Sequence, residues 1–279
     1  MPPTRIRLVT RGDDAGSCRD ANTAIRDAFE KGILRNAGVM APGPAFEEAA
    51  RMLKDLKGLC VGLHATLTDE WNESRWGPVL GAAKVPSLVM ADGTFFKDTG
   101  AVWKHTPAND EVLAEVAAQL ARARAAGLHI RYIDVHMGFD WFPGLRPRLH
   151  DFARAERLVF GQGFLPALPK VDGQSADPVE RFIAQLEAAQ AGKTYLVVTH
   201  PAYDTDQMRA MTYGDRKPGE IAHERDRDRR LSMDERILEY CRTHGVEPIR
   251  YADLTEASEG VLHGDRPPGA CPLKDGLTG

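Results

Sequence analysis

Residues 6–16 read IRLVTRGDDAG. A short apolar run, Ile6–Thr10, leads into a glycine and two adjacent aspartates, Asp13 and Asp14. The run is too short for a helix and predicts a buried strand. The turn after it is neither GxGxxG nor a P-loop, which weighs against a dinucleotide-binding sheet. Similar runs recur at Gly38–Ala41, Cys60–His64, Ile130–Val135, Leu158–Phe160, Tyr195–Thr199 and Val246–Ile249. Most are dense in Val, Ile and Leu rather than alternating, as strands covered on both faces should be. Between them lie helical patterns at Asn22–Glu30, Ala45–Leu56, Asn109–Ala126, Pro178–Ala191 and Leu231–Thr243, several stopped by glycine. Strand–helix–strand repetition implies parallel strands with crossover helices. The architecture is then an α/β fold, either a closed or nearly closed barrel or an open doubly wound sheet.

The length of 279 residues allows two average domains or one α/β barrel of about 250 residues. The net charge of −4 supplies no basic field for a phosphate backbone, so nucleic acid is not an expected partner. Four scattered cysteines (Cys18, Cys60, Cys241, Cys271) form neither a disulfide framework nor a zinc knuckle. No run reaches the ~18 apolar residues of a membrane span, and the opening residues lack the apolar core of a signal peptide. These features predict a cytoplasmic protein. The stretch 68–107 is irregular and aromatic (Trp71, Trp76, Phe95, Phe96, Trp103), either a lid-like insertion or an ordinary extra layer. The run HERDRDRR at His223–Arg230 reads as a solvated helix face, and the Gly/Pro-rich tail 257–279 as extended chain.

The chemistry sits at the ends of the apolar runs. Asp13 and Asp14 follow the first, His64 closes the third, His136 follows the fourth and His200 follows the sixth. In parallel α/β folds the C-terminal strand edge is where ligands bind, so residues distant in sequence converge there. A single histidine at a strand end is more often a hydrogen-bonded structural residue, but the constellation argues together. Two histidines and one carboxylate leave open positions on a divalent metal, which lowers the pKa of bound water toward 7. With one aspartate on the metal, its neighbour is placed to act as general base. His200 is placed to protonate a departing amine or to orient the group that does. These parts suit hydrolysis of a carboxamide or ester.

The stretches TRGDDAG (Thr10–Gly16), GLHATLT (Gly62–Thr68), YIDVHM (Tyr132–Met137) and THPAYD (Thr199–Asp204) resemble, in order and spacing over residues 5–255, the YdjC-like carbohydrate deacetylases. That family includes chitooligosaccharide and hopanoid-biosynthesis deacetylases. The resemblance implies a distorted (β/α) barrel of about seven parallel strands, related to the polysaccharide deacetylase fold. It implies metal-dependent removal of an acetyl group from an N-acetylated saccharide. Asp14, His64 and His136 map to the metal ligands, Asp13 to the base and His200 to a catalytic or substrate-binding group. A homodimer is the implied assembly. The chain departs from the family pattern around these positions: Arg11 and Gly12 precede the acidic pair, Ala15 replaces an aromatic, and His136 lacks its usual histidine neighbours. The altered positions surround the pocket rather than the implied ligands. One catalytic barrel over residues 1–256 follows, because ligands at 14, 64 and 136 cannot be divided between two halves.

Ligand types suit Zn or Mg, with Mn, Co or Ni also compatible. Tyr203 and Asp204 are candidates for hydroxyl binding, and Trp71, Trp76 and Trp141 for sugar stacking. Arg11 is a candidate for binding a carboxylate or developing oxyanion, or for a structural ion pair with the acidic pair. Nothing marks Cys18 as a nucleophile. Two other classes remain open to the residues alone. A non-haem Fe(II) oxygenase shares the two-His, one-carboxylate set, but lacks here the near-adjacent ligand pair on a β-sandwich. A non-catalytic saccharide-binding or regulatory protein on a degenerate barrel is the second.

Overall fold

The computed structural model describes residues 5–254 except 162, 164 and 174. Its strands are β1 (Ile6–Ala15), β2 (Asn36–Val39), β3 (Cys60–Ala65), β4 (Ile130–Val135), β5 (Val159–Phe160), β6 (Thr194–Thr199) and β7 (Val246–Ile249). Its α-helices are α1 (Arg19–Lys31), α2 (Phe46–Leu53), α3 (Thr99–Lys104), α4 (Asn109–Ala125), α5 (Leu145–Ala155), α6 (Pro178–Glu187), α7 (Asp206–Ala210), α8 (Glu220–Met233) and α9 (Glu235–His244). All strand pairings are parallel, in the order β5-β4-β3-β2-β1-β6, with β7 on the first half of β1. The sheet curls until its two ends meet. The chain just past β5 bridges β6 at Ala167–Leu196, and Leu196 N–H donates to the Pro166 carbonyl at 2.9 Å. The fold is therefore a distorted (β/α) barrel of seven parallel strands. The open doubly wound alternative is set aside.

Inside, Val9, Cys60, Ile249 and the large aromatics Tyr132 and Tyr251 pack together. Outside, α1, α2, α4 and α5 bury their apolar faces on the sheet, and α6 and α9 pack beyond β6 and β7. Among the described residues no helix is long and apolar enough to cross a membrane.

Three expectations change. The first strand runs on to Ala15 instead of ending at Thr10, because β6 pairs with residues 7–12 and β2 with residues 11–15. The acidic pair thus lies inside the strand. Its register shifts between Gly12 and Ala15, and Asp14 takes a left-handed φ of 70°. The expected helix Leu231–Thr243 is two: Asp234 ends α8, then caps α9 by accepting from Arg236 N–H at 2.9 Å. The run His223–Arg230 is helical but only partly a solvated face: His223, Glu224 and Arg230 are exposed, whereas Asp226 is buried and the Arg225 side chain is only 11% exposed. The insertion 68–107 turns its aromatics inward. Trp71, Trp76, Phe95 and Phe96 are buried, and the Glu115 carboxylate takes the N–H groups of Val79 and Leu80. Trp103 alone of the five stays 38% exposed, edge-on to Trp141. The tail 257–279 lies outside the described residues.

Candidate metal and catalytic site

β1, β3 and β4 end at one rim and carry the site. On β1, the shifted register and the left-handed Asp14 free the two adjacent carboxylates from the opposite facing a regular strand would impose. β3 brings His64 directly beside Asp134 of β4. Immediately past β4, left-handed Met137 and Gly138 bend the chain and leave His136 facing back over the rim. Gly38 of β2 keeps the floor clear. A Cβ there would stand 2.8 Å from Asp13 Oδ1 and 3.2 Å from His64 Cβ, so a side chain would push against Asp13 and crowd His64.

Asp14, His64 and His136 are buried and meet. Asp14 Oδ1 lies 3.4 Å from His64 Nε2 and 3.3 Å from His136 Nδ1, and the two nitrogens are 3.1 Å apart. The outer ring nitrogens fix the tautomers. Asp134 Oδ2 accepts from His64 Nδ1 at 2.9 Å and Glu70 Oε2 from His136 Nε2 at 3.1 Å, by assignment from their partners. The facing nitrogens are then left as lone pairs, next to an Asp14 Oδ1 that has no hydrogen bond. Three acceptors in mutual contact repel unless a proton or a metal ion lies among them. Donors around a four-coordinate ion with bonds of about 2.1 Å stand about 3.4 Å apart, close to this triangle. The group fits a metal ion in its spacing, its lone pairs and its orphaned oxygen.

The charges point the same way. Asp13, Asp14, Asp134 and Glu70 face Arg11 and Arg225, leaving a formal −2 with neutral imidazoles. Burial alone would lower the His136 pKa, but Glu70 and Asp14 overcome it and hold it up at about 9. Burial likewise opposes an imidazolium at His64, yet Asp134 and Asp13 hold its pKa well above the usual value. Burial would raise the Asp14 carboxyl, but Arg225 and His136 keep it well below the carboxylate range. The cluster calls for about two positive charges, which one divalent ion would supply.

Asp13 joins the cluster's edge. Arg11 donates to its Oδ2 from Nε (3.1 Å) and Nη2 (2.8 Å), while Oδ1 is buried without a hydrogen bond. Arg11 also meets Asp134 at 3.0 Å and the Tyr251 hydroxyl at 3.2 Å, so of its two readings the structural ion pair is the one formed. His200 directly follows β6, whose last residue Thr199 pairs with Gly12, and its backbone N–H donates to Asp228. Its imidazole makes no hydrogen bond to the cluster. Tyr203 and Asp204 are not brought in: Tyr203 donates to Asp27 at 2.7 Å under the Arg229 guanidinium, and Asp204 pairs with Arg209. Trp71 is fully buried against Arg225. Trp76 donates to the Thr68 carbonyl, and Trp141 is 41% exposed. Cys18 caps α1.

Three contributors escaped the sequence reading. Asp134 had a signal: two residues from His136 and in register with His64, it shares their face. Glu70 sits in the irregular insertion, where no periodicity points anywhere. Arg225 lies in the mixed-charge run, yet its Nη2 donates to Asp14 Oδ2 at 2.7 Å.

Residues 7–243 match the YdjC-like protein family. The chain belongs to that family. A carbohydrate deacetylase of Geobacillus stearothermophilus is 31% identical over 256 residues, covering 88% of this chain and 97% of the relative. A carbohydrate deacetylase of Listeria welshimeri is 26% identical over 267 residues, covering 89% and 100%. A chitooligosaccharide deacetylase of Serratia marcescens is 30% identical over 156 residues, 55% of this chain and 57% of that protein. For the fold, a crystal structure described as a cellobiose-phosphate cleavage protein of Enterococcus faecalis superposes with a TM-score of 0.74 at 19% identity. It covers 90% of this chain and 99% of that one. This YdjC-like chain thus shares its barrel with the solved structure and its sequence with proteins named as deacetylases.

Proposed function

We propose that this YdjC-like chain is a metal-dependent hydrolase that removes the acetyl group from an N-acetylated mono- or oligosaccharide. The observation that carries the metal is the triangle of Asp14 Oδ1, His64 Nε2 and His136 Nδ1, with no hydrogen bond on the carboxylate oxygen. The substrate class rests on the relatives named as carbohydrate deacetylases. In the reaction, water adds to the acetamide carbon, the C–N bond breaks, the nitrogen gains a proton, and a sugar amine and acetate leave.

A divalent ion held by Asp14, His64 and His136 would polarise the acyl group and make water acidic enough to attack at neutral pH. The chain's own residues do the rest. Asp134 and Glu70 fix the imidazole tautomers so that lone pairs face inward. Arg11 holds Asp13 by Oδ2 and leaves Oδ1 to take the proton of the attacking water. His200, at the end of β6, returns a proton to the departing amine. Residues 1–256 act as one catalytic unit, because the ligands come from β1, β3 and the turn after β4. Acetate release from N-acetylglucosamine and chitooligosaccharides by protein reconstituted with Zn²⁺, Mg²⁺, Mn²⁺, Co²⁺ or Ni²⁺ tests this. Release that needs a metal supports it. No release across the panel with any of the five overturns it.

A further inference from the structure

The donors around the site are not all spent. Arg225 gives Nη2 to Asp14 Oδ2, and its guanidinium carbon lies 5.0 Å from the centre of the Trp71 ring. Its other terminal nitrogen, Nη1, is buried and has no hydrogen-bond acceptor. Trp71 is fully buried, and its Nε1 is equally unpaired. Both atoms can only donate. A buried donor without an acceptor is uncommon and costs more than a made hydrogen bond returns. Here two of them occur on side chains in contact, one fixed to a carboxylate of the metal-binding triangle. Tyr213, 38% exposed, stands edge-on to Trp71 with ring centres 6.2 Å apart, so the pair lies one side chain from solvent.

We infer that Arg225 Nη1 and Trp71 Nε1 receive the acyl oxygen: the carbonyl oxygen of the acetamide and, after hydrolysis, a carboxylate oxygen of acetate. The chemistry of the two atoms selects this ligand. An acyl oxygen has two lone pairs and no proton, and it matches two donor-only groups. A sugar hydroxyl brings a proton that needs an acceptor, and neither of these two atoms offers one. Position agrees, since the acyl carbon must lie beside Asp14 for water activated there to reach it. Arg11, the other arginine of the site, has Nε and Nη2 on Asp13 and Nη1 on Tyr251, so each of its three nitrogens already has a partner. The oxygen-binding role that the sequence suggested for Arg11 thus passes to Arg225. In assigning the oxygen to an acetyl group this inference rests on the deacetylase reading.

The test separates the two. Trp71→Phe removes the indole N–H, keeps a ring under Arg225 and touches no carboxylate. Acetate binding to metal-loaded protein is followed by calorimetry, which needs no turnover. Metal content and acetate inhibition of turnover are followed beside it. Trp71→Phe is expected to keep one ion per chain and to weaken acetate roughly tenfold, with a similar fall in kcat/KM. Arg225→Lys should weaken acetate further and carries the same test should Trp71→Phe fail to fold. Acetate that binds Trp71→Phe and wild type alike overturns the inference, as does wild-type protein that binds no acetate. If acetate binding depends on Trp71 but no N-acetyl sugar is cleaved, the deacetylase reading falls and the oxygen site stands. If sugars are deacetylated and acetate affinity ignores Trp71, the reverse holds.

Discussion

The rim of the barrel has two halves that treat polar groups differently. At the ends of β1, β3 and β4, buried polar atoms are left without hydrogen bonds: Asp13 Oδ1, Asp14 Oδ1 and Asp134 Oδ1, with Arg225 Nη1 beside them. Past the end of β6, the side chains of Tyr203, Asp204 and Thr205 each have their own partner, in Asp27, Arg209 and Asp20. Hydrogen bonds that are already satisfied hold a loop in place. Unsatisfied ones in a buried setting are a cost that a bound group repays. The first half carries the candidate site, and the second braces the loop beside it.

Removing a ligand should break the binding half most severely. Asp14→Ala or His64→Ala is expected to abolish stoichiometric metal binding and to cut kcat/KM by at least about a thousandfold, measured by metal analysis and acetate release. Asp13→Asn should retain the ion and lose roughly a hundredfold to ten-thousandfold in kcat. Full activity in that variant would remove Asp13 as the base. Asp134→Asn and Glu70→Gln act on the outer nitrogens of the two imidazoles, the former also on the Arg11 ion pair, so metal affinity should fall by about 10- to 100-fold. A ligand-sized loss there would mean that these carboxylates bind the ion themselves.

Acidity sharpens the same contrast. In metal-free protein, Glu70 and Asp14 hold the His136 pKa near 9, so its imidazolium persists through neutral pH. The ion must displace that proton. Metal affinity should therefore rise with pH through neutrality up to at least about 9, with proton release seen as a buffer-dependent binding enthalpy. The bracing half responds at the other end of the scale and more weakly. Burial would raise the Asp27 pKa, but hydrogen bonds from Tyr203, Arg26 and Lys31 bring it down to about 2. A depressed carboxylate stabilises the fold above its unfolded pKa and ceases to as pH falls through about 2. Tyr203→Phe should cost about 1 kcal/mol at neutral pH and part of that acid tolerance, with kcat/KM nearly unchanged. A large loss of activity would bring the β6 loop into the site and restore a substrate-binding role for Tyr203.

The same division decided what the sequence could reveal. Buried parallel strands write dense apolar runs, so all seven were visible, and Asp14, His64 and His136 could be placed at their ends. The end of β1 was misjudged because Arg11–Asp14 is polar. Only pairing with β2 and β6 keeps that segment extended. Arg225 is hidden in HERDRDRR, where alternating charge looks like a wet surface until α8 packs beside α1 and β6 and Arg225 reaches Asp14. Glu70 lay in an insertion with no period to read. Local pattern reports which residues lie on strands; it does not report which charged side chain a distant helix aims at them.

The most direct test is an anomalous difference map from crystals of the protein loaded with Zn²⁺. One strong peak per chain, bounded by Asp14 Oδ1, His64 Nε2 and His136 Nδ1, is the result expected. A peak away from these three atoms, or none in protein that deacetylates sugars, would contradict it.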